Sequence, residues 1–400
     1  MELVAEKYKK SEVGLIPSDW DVFKLGDCLL RNPDYGINAA AVEYDDTLPT
    51  YLRITDISED GKFIRSNKAS VNNSLANAYY LEKGDIVFAR TGASVGKTYL
   101  YNENDGRLVF AGFLIRITPN PEIVDCFYLI YLTQTKAYWA WVSANSMRSG
   151  QPGLNSNEYK SFQISLPPTK AEQTLIATAL SDADALISSL EKLITKKRNI
   201  KQGAMQKLLQ PKEGWEEKKI KEIFQFRQGI QCSIDNQKSD DKEGLQRFIR
   251  IIDLTQASEP ARYIDDPGTS YHVDIDDLFM VRYGNPGLLG YGFKGVIANN
   301  LFRLIPKIKM SNKYFYYLLS YKNEDILQLT SSTTMAALNF TSLNSLKLCF
   351  PLSIDEQKNI VSILNDMDNE ITSLEKKLSK SKMLKQGMMQ ELLTGKIRLI

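Results

Sequence analysis

LPPTKAEQTLIATALSDADALISSLEKLITKKRNIKQGAMQKLL, from Leu166 to Leu209, and FPLSIDEQKNIVSILNDMDNEITSLEKKLSKSKMLKQGMMQELL, from Phe350 to Leu393, are two versions of one segment. They align without a gap, and roughly 20 of about 44 positions are identical where chance would give about two or three. Each copy opens shortly after a proline with a hydroxyl residue and, three positions on, a glutamate: Thr169 with Glu172, and Ser353 with Glu356. This is a capping box, in which a side-chain oxygen and a returning carboxylate satisfy two orphan backbone donors at a helix start. Apolar residues then recur at steps of four and three. They are Ile176, Leu180, Ala183, Ile187, Leu190 and Ile194 in the first copy, and Ile360, Leu364, Met367, Ile371, Leu374 and Leu378 in the second. A 3.5-residue period is the seam of a coiled coil rather than of a helix laid on a flat core. The register weakens near Lys197 and Ser381 and resumes around Ala204, Leu208, Met388 and Leu392. Pro211 ends the first helix and Gly395 can end the second. Each helix then runs for about 40 residues, or about 60 Å at 1.5 Å per residue.

Fainter echoes precede both copies. IPSDWDVFKLGD from Ile16 answers GWEEKKIKEIF from Gly214, and YLRITDI from Tyr51 answers FIRIIDL from Phe248. GDIVFARTG from Gly84 answers DDLFMVRYG from Asp276, and AGFLIRITP from Ala111 answers ANNLFRLIP from Ala298. The offset varies across these pairs and is constant through the helical segment, so insertions and deletions are confined to the parts between. The chain therefore reads as an α+β protein with a pseudo-twofold internal repeat. Two similar mixed α/β domains, residues 1–168 and 213–352, alternate with two long helices, residues 169–212 and 353–400. Matched heptads predict that the helices pair with each other, and a pseudo-twofold arrangement makes that pair an antiparallel coiled coil. Such a rod would hold the two domains at a set distance. The alternative is two ordinary amphipathic helices, each buried in its own domain.

Composition narrows the function. A net charge of +2, from 50 Lys+Arg and 48 Asp+Glu, argues against a protein that coats nucleic acid indiscriminately, though not against local basic surfaces. The four cysteines, Cys28, Cys126, Cys232 and Cys349, form no CxxC pair, so neither a zinc site nor a disulfide framework is expected. One histidine, His272, lowers the expectation of hydrolytic or metal chemistry. The charged start MELVAEKYKK lacks a signal peptide's apolar stretch, and no run approaches the roughly 18 apolar residues of a membrane span. A cytoplasmic location with no membrane partner, no cofactor and no metal is the expectation.

GLIPSDWDVFKLGD, the GDIVFARTG strand, a proline followed closely by EQ, the SLEK…KQGMMQELLTGK helix and the duplication together resemble the specificity subunit of type I restriction–modification systems. The resemblance runs from about Gly14 to Leu399; each motif alone is weak, and their order and duplication are specific. It implies two target recognition domains, each reading one half of a bipartite site in double-stranded DNA. The helices would set the unread spacer between the halves and recruit two methylation subunits, which bind S-adenosylmethionine and modify adenine N6. Two ATP-driven restriction and translocation subunits would join them. The chain itself would have no catalytic residues. Recognition domains are the family's variable part, so no contact residue carries over.

Those residues are sought on chemical grounds. Base edges are read by Arg for guanine, Asn or Gln for adenine, and apolar groups for the thymine methyl. Phosphates take whatever Lys, Arg and hydroxyl groups lie near. Two loop-like stretches per domain combine these residues. They are RTGASVGKTYLY (90–101) and SANSMRSGQPGLN (143–155) in the first, RYGNPGLLGYGFKG (282–295) and TSSTTMAALNFTS (330–342) in the second. The DNA-contact candidates are Arg90, Lys97, Arg148 and Gln151, then Arg282, Tyr283, Asn285 and Lys294. Arg53, Arg90, Arg250 and Arg282 recur in both copies, which equally fits a structural ion-pair role. The stretch Gly92–Thr98 imitates a phosphate-binding P-loop but has three residues between its glycines where that loop has four. The aromatic, turn-rich YLYNENDGRLVF after it is unlike the helix such a loop must enter. Asp45-Asp46 and Asp265-Asp266 read as solvated turns, Asp274, Asp276 and Asp277 as a thin case for magnesium, and KKRNIK (196–201) as a solvated helix face. A non-DNA adaptor, binding proteins through its two globular domains, is the alternative function, and salt-sensitive affinity for particular duplexes separates the two.

Overall fold

Both copies of the repeated segment are continuous helices in the computed structural model, which describes residues 7–256, 258–330 and 336–399. Helix α1 spans Lys170–Leu209 and helix α2 spans Ile354–Leu392. At each start the hydroxyl cap is in place: Glu172 N–H donates to Thr169 Oγ1 and Glu356 N–H to Ser353 Oγ, both at 3.3 Å. The returning half of the capping box is not made. The Glu172 carboxylate accepts instead from Arg398, and the Glu356 carboxylate from the Trp215 indole at 3.0 Å. A charge-assisted or indole donor outcompetes a backbone amide that solvent can satisfy. Gly395, at φ +68°, turns the chain out of α2.

The molecule resolves into two units, and the division cuts through the helices rather than at their ends. One unit holds the chain up to Glu191 together with Lys377 onward; the other holds Lys192–Lys376. Each therefore owns one globular part plus half of each helix. In the first unit the helix halves run antiparallel, since Asp184 pairs with Lys385 and Glu191 with Lys382, both at 2.7 Å. In the second, Lys197 pairs with Glu370, Arg198 with Glu375 and Lys201 with Asp368, so both units join α1 to α2 by ion pairs. The basic run KKRNIK is thus largely taken up by these interhelical pairs rather than left as a solvated face.

The helix surfaces do two jobs. Ile176 and Leu180 lie in the hydrophobic core of the first globular part, and Ile360 and Leu364 in that of the second. Ile187, Leu190, Ile194 and Ile371 are buried outside those cores, while Leu374 and Leu378 are half-buried. So the opening turns of each helix are docked on the preceding domain, and the heptad positions further along serve the helix pair. The two alternatives weighed from sequence hold in different stretches of one helix.

A polar joint repeats where each globular part meets its helices. Tyr131, on the helix Cys126–Leu132, donates to Asp184 of α1 at 2.9 Å, and Lys385 of α2 lies 5.2 Å over its ring. Tyr317, on the helix Asn312–Tyr321, donates to Asp368 of α2 at 2.7 Å, with Lys201 of α1 5.4 Å over its ring. Burial first, then the neighbouring carboxylates, push both phenols above their ordinary pKa. Asp184 and Asp368, and Lys201 and Lys385, are related by the same offset that relates Leu166 to Phe350.

The globular parts share a topology. In the first, strands are ordered Asp34–Tyr35, Leu114–Ile117, Ile86–Ala89, Thr98–Leu100, all antiparallel. In the second the same order is filled by Phe224–Gln228, Leu301–Pro306, Leu278–Val281 and Leu289–Gly290. A second sheet in each has one parallel pair, Leu108–Phe110 with Thr50–Leu52, and Gly295–Ile297 with Leu245–Ile249. The recurrent arginines Arg53 and Arg250 are structural. Each folds back on an aspartate three residues on, Asp56 or Asp253, and ties down a backbone carbonyl, Asn67 or Pro260. An equivalent glycine in each part cannot be replaced without moving backbone. A Cβ on Gly36 would lie 2.2 Å from the Ala111 carbonyl oxygen, and one on Gly229 2.2 Å from that of Ile297.

Candidate nucleic-acid interface

The two loop-like stretches of each domain, far apart in sequence, are joined in the fold. In the first unit the strand Ile86–Ala89 is buried on both faces and delivers Arg90 to the surface. Gly92, at φ +71°, turns the chain there. The second stretch comes back beside it after the helix Lys136–Asn145: Leu154 N–H donates to the Arg90 carbonyl at 2.8 Å, and Gly92 N–H to that of Pro152 at 2.9 Å. In the second unit Leu338 N–H donates to the Arg282 carbonyl at 2.8 Å, and Tyr283 pairs with Ala337. Residues 331–335 of the fourth stretch lie outside the described residues. Each unit thus presents one two-loop junction, built on equivalent strands.

The candidates divide once their partners are known. Lys97 is largely buried and its ammonium sits 2.6 Å from Glu59. Arg148 is exposed, pairs with Glu158 and also donates to the carbonyls of Asn145 and Met147. A surface ion pair of that kind is worth about 0–1 kcal/mol, so Arg148 remains exchangeable, and the Lys97 pair, whose carboxylate is 87% exposed, is of the same class. Gln151 is exposed, and its amide lies over Gly92, where a Cβ would come within 2.6 Å of Nε2. Arg282 donates to Gln228 Oε1 at 2.8 Å and to the Leu338 carbonyl at 3.3 Å, with its guanidinium 4.8 Å over Phe340. Tyr283 is half-buried and Asn285 exposed, at the edge of a cavity of about 300 Å³ that Tyr316, Ser320 and Asn323 also line. Lys294 is exposed on another cavity, of about 320 Å³, with His272, Asp277 and Arg303. Arg90 differs from all of these: its guanidinium lies 4.7 Å over the Tyr35 ring, and its Nε is buried without a hydrogen-bond partner.

Sequence reading passed over three groups here. Met147 stands on the second loop with 78 % of its surface exposed, an apolar tip among polar neighbours. Tyr35 in one domain and Gln228 with Phe340 in the other hold the two arginines. Their signal was present, since Tyr35-Gly36-Ile37 and Gln228-Gly229-Ile230 both place the backbone-restricted glycine next to them. The P-loop imitation is settled by local structure. Gly92–Ser94 is a single tight turn, and Thr98–Leu100 is a strand, so no helix N-terminus is offered to a phosphate. Asp277 is held by Arg303 at 2.7 Å and Asp276 accepts from Tyr291 at 2.9 Å. Asp266 accepts from His272 at 2.8 Å, taken as a donor, which lowers its carboxyl pKa. Among the described residues no group of three His, Cys, Asp or Glu side chains is arranged to hold a metal ion. Nor is any helix among them long and apolar enough to cross a membrane.

The repeat seen in topology is matched by comparison with known proteins. The family model for the type I restriction modification DNA specificity domain matches twice, over residues 17–202 and 212–381. The chain belongs to that family. Two curated members from Methanocaldococcus jannaschii are similar along their whole length. The putative type I restriction enzyme MjaX specificity subunit is 28% identical over 431 residues, spanning 98% of this chain and 97% of its own. The type I restriction enzyme MjaVIII specificity subunit is 24% identical over 447 residues, spanning 100% and 98%. The fold is shared with the crystal structure of a type I restriction–modification S subunit from M. genitalium, at a TM-score of 0.63 and 16% identity over 93% of this chain and 96% of that one. It is shared too with a chain from a study of complex assembly and conformational transition of the type I system, at 0.58 and 15% over 96% and 99%. This chain is accordingly a specificity subunit, and the two-loop junctions are places where its two specificity domains differ from each other.

Proposed function

We propose that the chain reads a bipartite, gapped site in double-stranded DNA, one half through each globular domain, and that its helices scaffold two methylation subunits and the restriction and translocation subunits. The bond-making and bond-breaking steps belong to those partners. The observation that carries this reading is the contrast between the Arg90–Leu154 and Arg282–Leu338 junctions: same arginine and leucine, same backbone hydrogen bond, equivalent strands, but different side chains around them. A repeated frame with divergent tips suits two readers of different half-sites, whereas an adaptor gripping one protein twice would keep its tips alike. The matched halves of the helices, with equivalent ion pairs and equivalent Tyr–Asp–Lys joints, suit two copies of one partner.

The test is an exchange of residues 213–350 for the corresponding domain of another family member, read by mapping methylated adenines. One half of the recognised motif should change while the other is kept. A change in both halves, or in neither, would overturn the division of labour. Binding to particular duplexes should also weaken steeply with added salt, because neutralised phosphates release counterions; salt-insensitive partner capture would favour the adaptor.

A further inference from the structure

Arg90 and Arg282 hold equivalent places, each at the end of a buried strand and each with its carbonyl pinned by a leucine N–H. Their guanidinium groups are in opposite states. We propose that Arg90 reads a guanine in the first half-site and that Arg282 reads no base; this rests on the DNA-reading function proposed above.

The difference comes from an exchange between two positions beneath the arginine. In the first domain the aromatic ring is Tyr35, and Ser156 fixes it, donating its N–H to the Tyr35 hydroxyl at 3.1 Å. In the second domain the residue before the restricted glycine is Gln228 rather than tyrosine, and the ring is Phe340, at the repeat position of Ser156. Gln228 is an acceptor, so it takes Arg282 NH1 at 2.8 Å, and the Leu338 carbonyl takes Nε. Tyr35 offers the arginine only the face of its ring, its hydroxyl being turned to Ser156. Arg90 is consequently held over the ring by its face alone, at 4.7 Å, and among the described residues neither a carboxylate nor a carbonyl accepts from its guanidinium.

A planar guanidinium held on a ring, with its Nε sealed in and its two terminal NH2 groups left over, is matched to a planar pair of acceptors. The O6/N7 edge of guanine is that pair. A phosphate would take the same charge without needing the plane. The surrounding junction supplies the other two reading chemistries, the Gln151 amide over Gly92 and the exposed Met147 tip. Such a bidentate contact discriminates its base roughly ten- to a hundred-fold.

The experiment uses the full chain assembled with its methylation partner, and measures adenine methylation on duplexes carrying each base at every position of the mapped site. The wild type should favour guanine at one position of the first half-site by roughly ten- to a hundred-fold, and dimethyl sulfate should find that guanine N7 protected. Arg90→Lys, which keeps the charge and removes the fork, should abolish that preference and leave the other positions alone. Arg282→Lys should lower the melting temperature of the complex and remove no base preference. A preference unchanged in Arg90→Lys would mean that another side chain reads that guanine and would overturn the proposal, as would a base preference lost in Arg282→Lys. Should Arg90→Lys fail to assemble, the wild-type footprint decides, since no protected guanine in the first half-site refutes the assignment. Methylation with no sequence preference at all would instead sink the DNA-reading function itself.

Discussion

The two copies agree along their helices and disagree at their loop tips, and the boundary between agreement and disagreement is sharp. Arg198–Glu375 in one unit and Lys382–Glu191 in the other are the same ion pair in repeat coordinates. The Tyr–Asp–Lys joints likewise match residue for residue. Elsewhere in the same domains, the support beneath the junction arginine passes from Tyr35 with Ser156 to Gln228 with Phe340. An aromatic ring under the arginine is therefore a requirement of the frame, while its source, and with it the arginine's free hydrogen-bonding capacity, is open to change. Divergence can then alter what a domain reads without disturbing how it is mounted.

Matched positions should fail alike. Leu180→Ala and Leu364→Ala, both fully buried where helix meets domain, should each destabilise by about 2–5 kcal/mol in denaturant unfolding. A large effect at one and none at the other would break the equivalence of the joints. Gly36→Ala and Gly229→Ala come next. Each drives a Cβ onto a carbonyl oxygen, and overpacking of that kind costs about 1–3 kcal/mol; near-neutral melting temperatures would show that the backbone there has room. Smaller still are Asp184→Asn and Asp368→Asn. Both carboxylates are about a third exposed, so solvent screening limits the loss of the lysine pair to about 1 kcal/mol in each unit. Unequal losses would sharpen the comparison by locating a partner that only one joint possesses.

Periodicity decides how much of this was legible in advance. The helices announced themselves because a 3.5-residue apolar repeat runs through both copies, and the duplication pointed to their pairing; which turns dock on the preceding domain was not legible. The sheets did not. Their strands are short, and Ile86–Ala89 and Leu278–Val281 are covered on both faces, so they read as apolar runs without the alternation that orders a sheet; Leu114–Ile117 is covered too, with Arg116 buried within it. The junctions were half legible: the four stretches were found by residue type, and the fold brings each pair together. Which arginine is free was not legible, because it depends on residues 35 and 156 in one domain and 228 and 340 in the other, none of them near Arg90 or Arg282 in sequence. Nor was the Lys97–Glu59 pair recognisable, Glu59 lying on a separate loop.

The central claim is that this chain alone chooses the DNA site. It is tested most directly by mapping N6-methylated adenines in DNA from cells that express the chain with its methylation partner, against cells lacking the chain. The account predicts a gapped motif with one modified adenine per strand that disappears on deletion. Methylation that persists unchanged without the chain would contradict it and leave the adaptor reading in its place.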